Sequence, residues 1–116
     1  MAFRFENLKV FRLAADLSNK MDAIVDGFPK KEMYSLCSQI KRASDSVVLN
    51  IAEGSTGQSK IEFKRFLGIA LRSAIEVVAC LYLAFMRKYI NEIQYRQLYN
   101  EYESLCKMIT SLRNSI

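Results

Sequence analysis

Apolar residues recur at intervals of three and four along nearly the whole chain, and the recurrence breaks only around Gly27–Pro29, Gly54–Gln58 and Lys88–Asn91. Such a period places successive apolar side chains on one side of a helix, whereas a half-buried strand needs strict alternation. A single proline and four glycines leave too little turn punctuation for many short strands. The pattern therefore predicts an all-α chain, one domain over residues 1–116, with helices at about 7–26, 30–54, 60–88 and 91–114. Short connections between helices that each carry an apolar stripe lead to a four-helix bundle. A chain of 116 residues can build such a core without disulfides or metals.

In helix one the stripe is Leu8, Phe11, Ala14, Ser18, Met21 and Val25, widened by Val10, Leu17 and Ile24. Gly27 and Pro29 close it, and Pro29 also suits the first turn of helix two. Helix two carries Met33, Leu36, Ile40, Ala43, Val47, Ile51 and Gly54 on one side. Its second half is apolar nearly all round, so it must be covered on more than one side, either by helices one and four or by a neighbouring subunit. Gly54 suits a left-handed C-cap, and Gly57 supplies a second permissive position. The turn between them lacks the preceding strand and the glycine–lysine spacing of a phosphate-cradling loop. Ser59 and Glu62 fit a capping box that opens helix three, whose stripe runs through Phe63, Leu67, Ala70, Ala74, Val77, Leu81 and Phe85. Asn91 can cap helix four, and Tyr95, Leu98, Tyr102, Leu105, Ile109 and Leu112 form its narrow seam. No apolar run reads as membrane-spanning, because Arg72, Glu76, Arg87 and Lys88 interrupt the most apolar stretch.

Pattern and chemistry conflict at Asn50 and Glu53, which sit in and beside the apolar run Val47–Ala52. Polar groups in such a setting need partners. Arg42 is available to Glu53 or Glu76, and Arg72 and Glu76 stand four residues apart on one helix. The chain has no histidine, which removes the commonest general base and metal ligand and the Glu-x-x-His motif of di-iron bundles. Glu53 and Glu76 as an acid–base pair stand against a reading in which Arg42, Asn50, Glu53, Ser73 and Glu76 form a structural polar motif. The second reading is preferred, with no catalytic residue, no cofactor and no metal ligand. Cys37, Cys80 and Cys106 are widely spaced and lie in helical pattern, which reads as buried reduced thiols in a cytoplasmic protein. The segment Met1–Glu6 opens no apolar signal sequence.

The formal net charge is +5, from 17 basic and 12 acidic residues, which permits a polyanionic partner without requiring one. Lys41, Lys60, Lys64, Arg65 and Arg72 are the candidates for phosphate contact. Lys30 and Lys31 are either solvated or mark a surface that meets an anion. Tyr95, Tyr99 and Tyr102 read as edge-of-core residues in preference to base-stacking platforms.

One stretch carries a resemblance. Phe28-Pro29, Glu32, Arg42-Ala43, Asn50-Ile51-Ala52-Glu53-Gly54, Glu62-Phe63, Phe66-Leu67 and Ala70-x-x-Ser73-x-x-Glu76 together resemble the 23S rRNA intervening-sequence proteins, also called the S23 or four-helix-bundle family. The resemblance implies an antiparallel up-down bundle that assembles into a ring-like homo-oligomer, typically a homopentamer. It implies a bacterial protein without established enzymatic activity, for which RNA binding is suggested by genetic context. A related accessory protein of diversity-generating retroelements binds nucleic acid and a reverse transcriptase. The expectation is a non-catalytic protein that binds RNA or DNA electrostatically as a homo-oligomer and does not engage a membrane. The alternative is a scaffold that docks a polymerase-type protein. Arg72 departs from the family pattern, placing a bulky charge beside Ser73 and Glu76.

Overall fold

The computed structural model describes residues 2–116. Four helices account for most of them: α1 (Lys9–Val25), α2 (Leu36–Gly54), α3 (Lys60–Met86) and α4 (Glu92–Ser115). Short 3-10 segments at Arg4–Asn7 and Lys30–Glu32 precede α1 and α2, and the described residues contain no strand. Consecutive helices pack on one another, and α4 also meets α1, so the four enclose one continuous core. The bundle is elongated, 43 × 23 × 22 Å, as expected when a 27-residue helix of roughly 40 Å sets its length.

The core follows the three–four period closely. Val10, Ala14, Leu17 and Met21 of α1 meet Leu36, Ile40, Val47 and Ile51 of α2 in the buried cluster. From α3 come Phe63, Leu67, Ala70, Ala74, Val77 and Leu81, and from α4 Leu98, Tyr102, Leu105 and Ile109. Each large aliphatic side chain taken fully from water contributes about 1.5–3 kcal/mol before entropy is counted. In α1 the centre of the stripe lies at Val10 and Leu17. Phe11 stands at the edge, 4.6 Å from the Phe5 ring, centroid to centroid.

Helix two begins later than its pattern suggests. Pro29 opens a 3-10 turn, Met33 is exposed, and regular α-helix starts at Leu36. The cause is Glu32, which is only 8% exposed. Its carboxylate accepts hydrogen bonds from Ser35 Oγ at 2.8 Å, Tyr89 Oη at 2.7 Å and Arg87 Nη1 at 3.1 Å. This cluster ties the α1–α2 connection to the α3–α4 connection. Hydrogen bonds from Tyr89 and then Ser35 hold the Glu32 carboxyl below its ordinary range, with Arg87 adding to the effect.

Gly54 is the last residue of α2 and does not have a positive φ. Its lack of a side chain serves close approach, because a methyl group there would lie 2.6 Å from Phe66 Cβ and 3.0 Å from Phe63 Cδ1. Gly57 is the glycine with positive φ, at 87°, in open space. α3 ends at Met86, with Lys88 at φ 65°. The Lys88 amide donates to the Phe85 carbonyl and the Tyr89 amide to Ala84, which completes a Schellman motif with lysine where glycine is usual.

Cys37 and Cys80 are buried and Cys106 is half-buried; all three are free thiols, and burial raises their pKa values. Contrary to the sequence expectation, α3 contains an 18-residue window that is long and apolar enough, by length and composition only, to cross a membrane. Arg72 and Glu76 interrupt one side of that helix without lowering its mean hydropathy enough. Only 33% of the window is buried, so much of an apolar helix faces outward.

Candidate nucleic-acid interface

The outward side of α3 has two halves. Toward its C-terminus, Ile75, Ala79, Tyr82 and Met86 follow one another at steps of four and three, the spacing of an apolar seam. Ile75 and Met86 are 57% and 59% exposed, and Leu49 of α2 is 58% exposed. Toward the N-terminus the same helix carries Lys60, Lys64, Arg65 and Arg72, all exposed. Ser59 caps this end, its Oγ accepting from the Glu62 amide at 3.0 Å.

Glu62 does not complete the expected capping box. Its carboxylate instead takes a two-point hydrogen bond from Arg65, Nε and Nη2 each at 3.1 Å. The contact lowers the pKa of Glu62 and raises that of Arg65. The Arg65 guanidinium also lies 4.6 Å from the Phe66 ring centroid. Lys41 is paired as well, with Asp22 at 3.0 Å, and the hydrogen bond to Asp22 raises its pKa. Lys60, Lys64 and Arg72 have no acidic partner within ion-pair distance among the described residues. Of the five candidate cations, these three keep their full charge for an outside partner.

The polar motif divides in the same way. Asn50 Nδ2 donates to the Ser46 carbonyl at 2.8 Å and to Ser46 Oγ at 3.0 Å, and Ser46 Oγ lies 2.9 Å from Ser73 Oγ. Asn50, Ser46 and Ser73 thus form one ladder from α2 to α3. Asn50 finds its partners one turn back on its own helix, which removes the apparent conflict with the apolar run around it. Arg42, Glu53, Arg72 and Glu76 are exposed, and none makes an ion pair within 4.0 Å among the described residues. The pairings expected of Arg42 with Glu53 or Glu76, and of Arg72 with Glu76, are therefore not formed. Water solvates these groups adequately, and an exposed pair repays little of the entropy of fixing two long side chains.

The tyrosines of α4 also separate. Tyr102 is buried, with its hydroxyl unpartnered among the described residues and its pKa raised by burial. Tyr95 is half-buried and stacks on Phe85 at 5.0 Å, whereas Tyr99 is exposed. Among the described residues, no group of three or more Cys, Asp or Glu side chains is placed to hold a metal ion.

Two features escaped the sequence reading. The Glu32 cluster joins residues 55 and 57 positions apart, so no local spacing reveals it. Arg113 of α4 reaches across to α3, where its Nε donates to the Lys64 carbonyl at 3.0 Å. Gly68, a glycine inside a predicted helix, was the available signal for that close approach.

The 23S rRNA-intervening sequence protein family model matches residues 6–111 of this chain. A crystal structure of a protein of unknown function from the S23 ribosomal protein family, from Bacteroides thetaiotaomicron, is similar in fold, with a TM-score of 0.82 at 24% identity. The match covers 90% of this chain and 95% of that one. No match is found among curated proteins.

Proposed function

Because the chain belongs to the 23S rRNA-intervening sequence protein family, we propose that it is a non-catalytic, cytoplasmic bacterial protein that binds RNA or DNA through phosphate contacts as a ring-like homo-oligomer, a pentamer. The observation that carries this reading is the division of α3. Its apolar half, with Ile75, Tyr82 and Met86 exposed, is the kind of seam that a second copy of the chain covers. Its basic half, with Lys60, Lys64 and Arg72 free of acidic partners, stays outside that seam. Short connections between successive helices, and the packing of α4 on α1, support the up-down order.

Local charge is modest, so the mechanism relies on repetition. Each subunit presents the same cations, and a strand that reaches several of them gains avidity without any new kind of contact. Phosphate contacts position a nucleic acid but carry no sequence information directly. The test is the affinity for RNA and DNA oligonucleotides across a salt series, on protein whose native mass is measured in the same buffer. Affinity that falls steeply and linearly in log–log form supports the reading. Absence of binding at low salt removes it. Capture of a polymerase-type protein with little salt response favours the scaffold reading.

A further inference from the structure

Lys60, Lys64 and Gly68 follow one another four residues apart on α3. Each step is about 6 Å along the helix. The third position has no side chain of its own, yet it is not empty of charge, because the Arg113 guanidinium occupies it. A methyl group on Gly68 would lie 3.4 Å from Arg113 Nη2, 3.6 Å from Cζ and 3.8 Å from Nε. The Nε hydrogen bond to the Lys64 carbonyl fixes the group there at 3.0 Å. Arg113 forms no ion pair among the described residues, and no protein acceptor takes its two terminal nitrogens. α4 thus inserts a third cation into a row that begins on α3, and that cation is held in place before any ligand arrives.

We infer that Arg113, seated on Gly68, is the anchoring phosphate ligand of the row Lys60–Lys64–Arg113, which receives successive phosphates of one nucleic-acid strand. The inference rests on the nucleic-acid reading above and names the site for it. A guanidinium with one nitrogen tied to the protein still presents two parallel donors, the geometry that suits a phosphate. Lys60 and Lys64 act as mobile point charges on either side of incoming phosphates. Gly68 is a positioning residue: it carries no charge and touches no ligand, and since a methyl there would already rest in contact with the guanidinium, a larger branched side chain displaces it.

The experiment measures fluorescence anisotropy of a labelled oligouridylate and a labelled oligothymidylate against the whole protein at several salt concentrations. Arg113→Gln is expected to weaken binding about tenfold, the loss of one charge-assisted contact. It should also flatten the log–log salt slope by about 0.7 per engaged subunit. Gly68→Val keeps the net charge and is expected to weaken binding to a similar degree. Arg113→Lys, which keeps the charge without the pinned fork, makes the same test should Gly68→Val fail to fold. Arg96→Gln, which removes an α4 charge paired with Glu92 at 3.1 Å, should leave affinity within about twofold. Salt-sensitive binding by the wild type, unchanged in Arg113→Gln, overturns the row while leaving the nucleic-acid reading in place. No binding by the wild type overturns both. Equal binding of RNA and DNA fits contact with phosphate alone, and binding of RNA only would mean that the 2′-hydroxyl, not this row, governs recognition.

Discussion

Replacing Gly54 by alanine tests the packing that joins α2 to α3. The added methyl would stand 2.6 Å from Phe66 Cβ and 3.0 Å from Phe63 Cδ1, where carbon atoms normally rest at about 3.5–4.0 Å. Phe66 Cβ is attached directly to the α3 backbone and cannot swing away. Relief therefore requires α2 and α3 to separate by about 1 Å, the shortfall against ordinary contact. Overpacking of this kind costs roughly 3 kcal/mol, the upper part of its usual range. Alanine returns about 1 kcal/mol through helix propensity. The expected net loss is about 2 kcal/mol, or a fall of about 8 °C in Tm for a chain of this size. Urea denaturation at fixed protomer concentration measures it, with an unchanged m-value expected. Gly27→Ala is the matched control, because a methyl there meets only the Ile24 carbonyl at 3.6 Å. That variant should be neutral or stabilised by up to about 1 kcal/mol. A Gly54→Ala protein as stable as the wild type would refute the close-approach argument.

Further outcomes follow from the same structure. Lys88→Gly should stabilise the chain by about 0.5 kcal/mol, since relief of the left-handed conformation outweighs the added freedom of the unfolded chain; thermal melts check the sign. Tyr102→Phe should raise stability by about 1 kcal/mol, because it deletes a buried hydroxyl without a partner among the described residues. Glu32, whose folded pKa lies below its ordinary value of 4.5, stabilises the folded state above that value and loses this contribution as pH falls through the folded pKa. Wild type should therefore exceed Glu32→Gln in Tm near neutrality and converge on it as pH drops below about 4.5; a gap that is the same at acid and neutral pH would contradict the assignment.

Much of the core was legible because burial follows period. Leu36, Ile40, Val47 and Ile51, or Leu98, Tyr102, Leu105 and Ile109, could be placed from spacing alone. The start of α2 was not legible, because a 3-10 turn there depends on Glu32 meeting Arg87 and Tyr89 from a distant connection. Gly54 was recognised as special for the wrong reason, since a helix-terminal glycine looks the same whether it supplies a left-handed φ or room for Phe66. In the candidate interface, sequence showed which cations exist but not which are already spent. Glu62 takes Arg65 and Asp22 takes Lys41, while Lys60, Lys64 and Arg72 remain. Arg113 was missed because its role depends on a glycine on another helix.

The proposed function requires that modest charge become effective by repetition around an assembly. The most direct measurement compares the salt dependence of RNA affinity for the wild type with that of a Leu49→Gln, Ile75→Gln variant, with native mass recorded for both. These substitutions remove exposed apolar contacts and leave the charge unchanged. The variant is expected to disperse, to bind RNA much more weakly, and to show a log–log slope that is a fraction of the wild-type slope. A dispersed chain that binds with the wild-type slope and affinity would contradict that requirement.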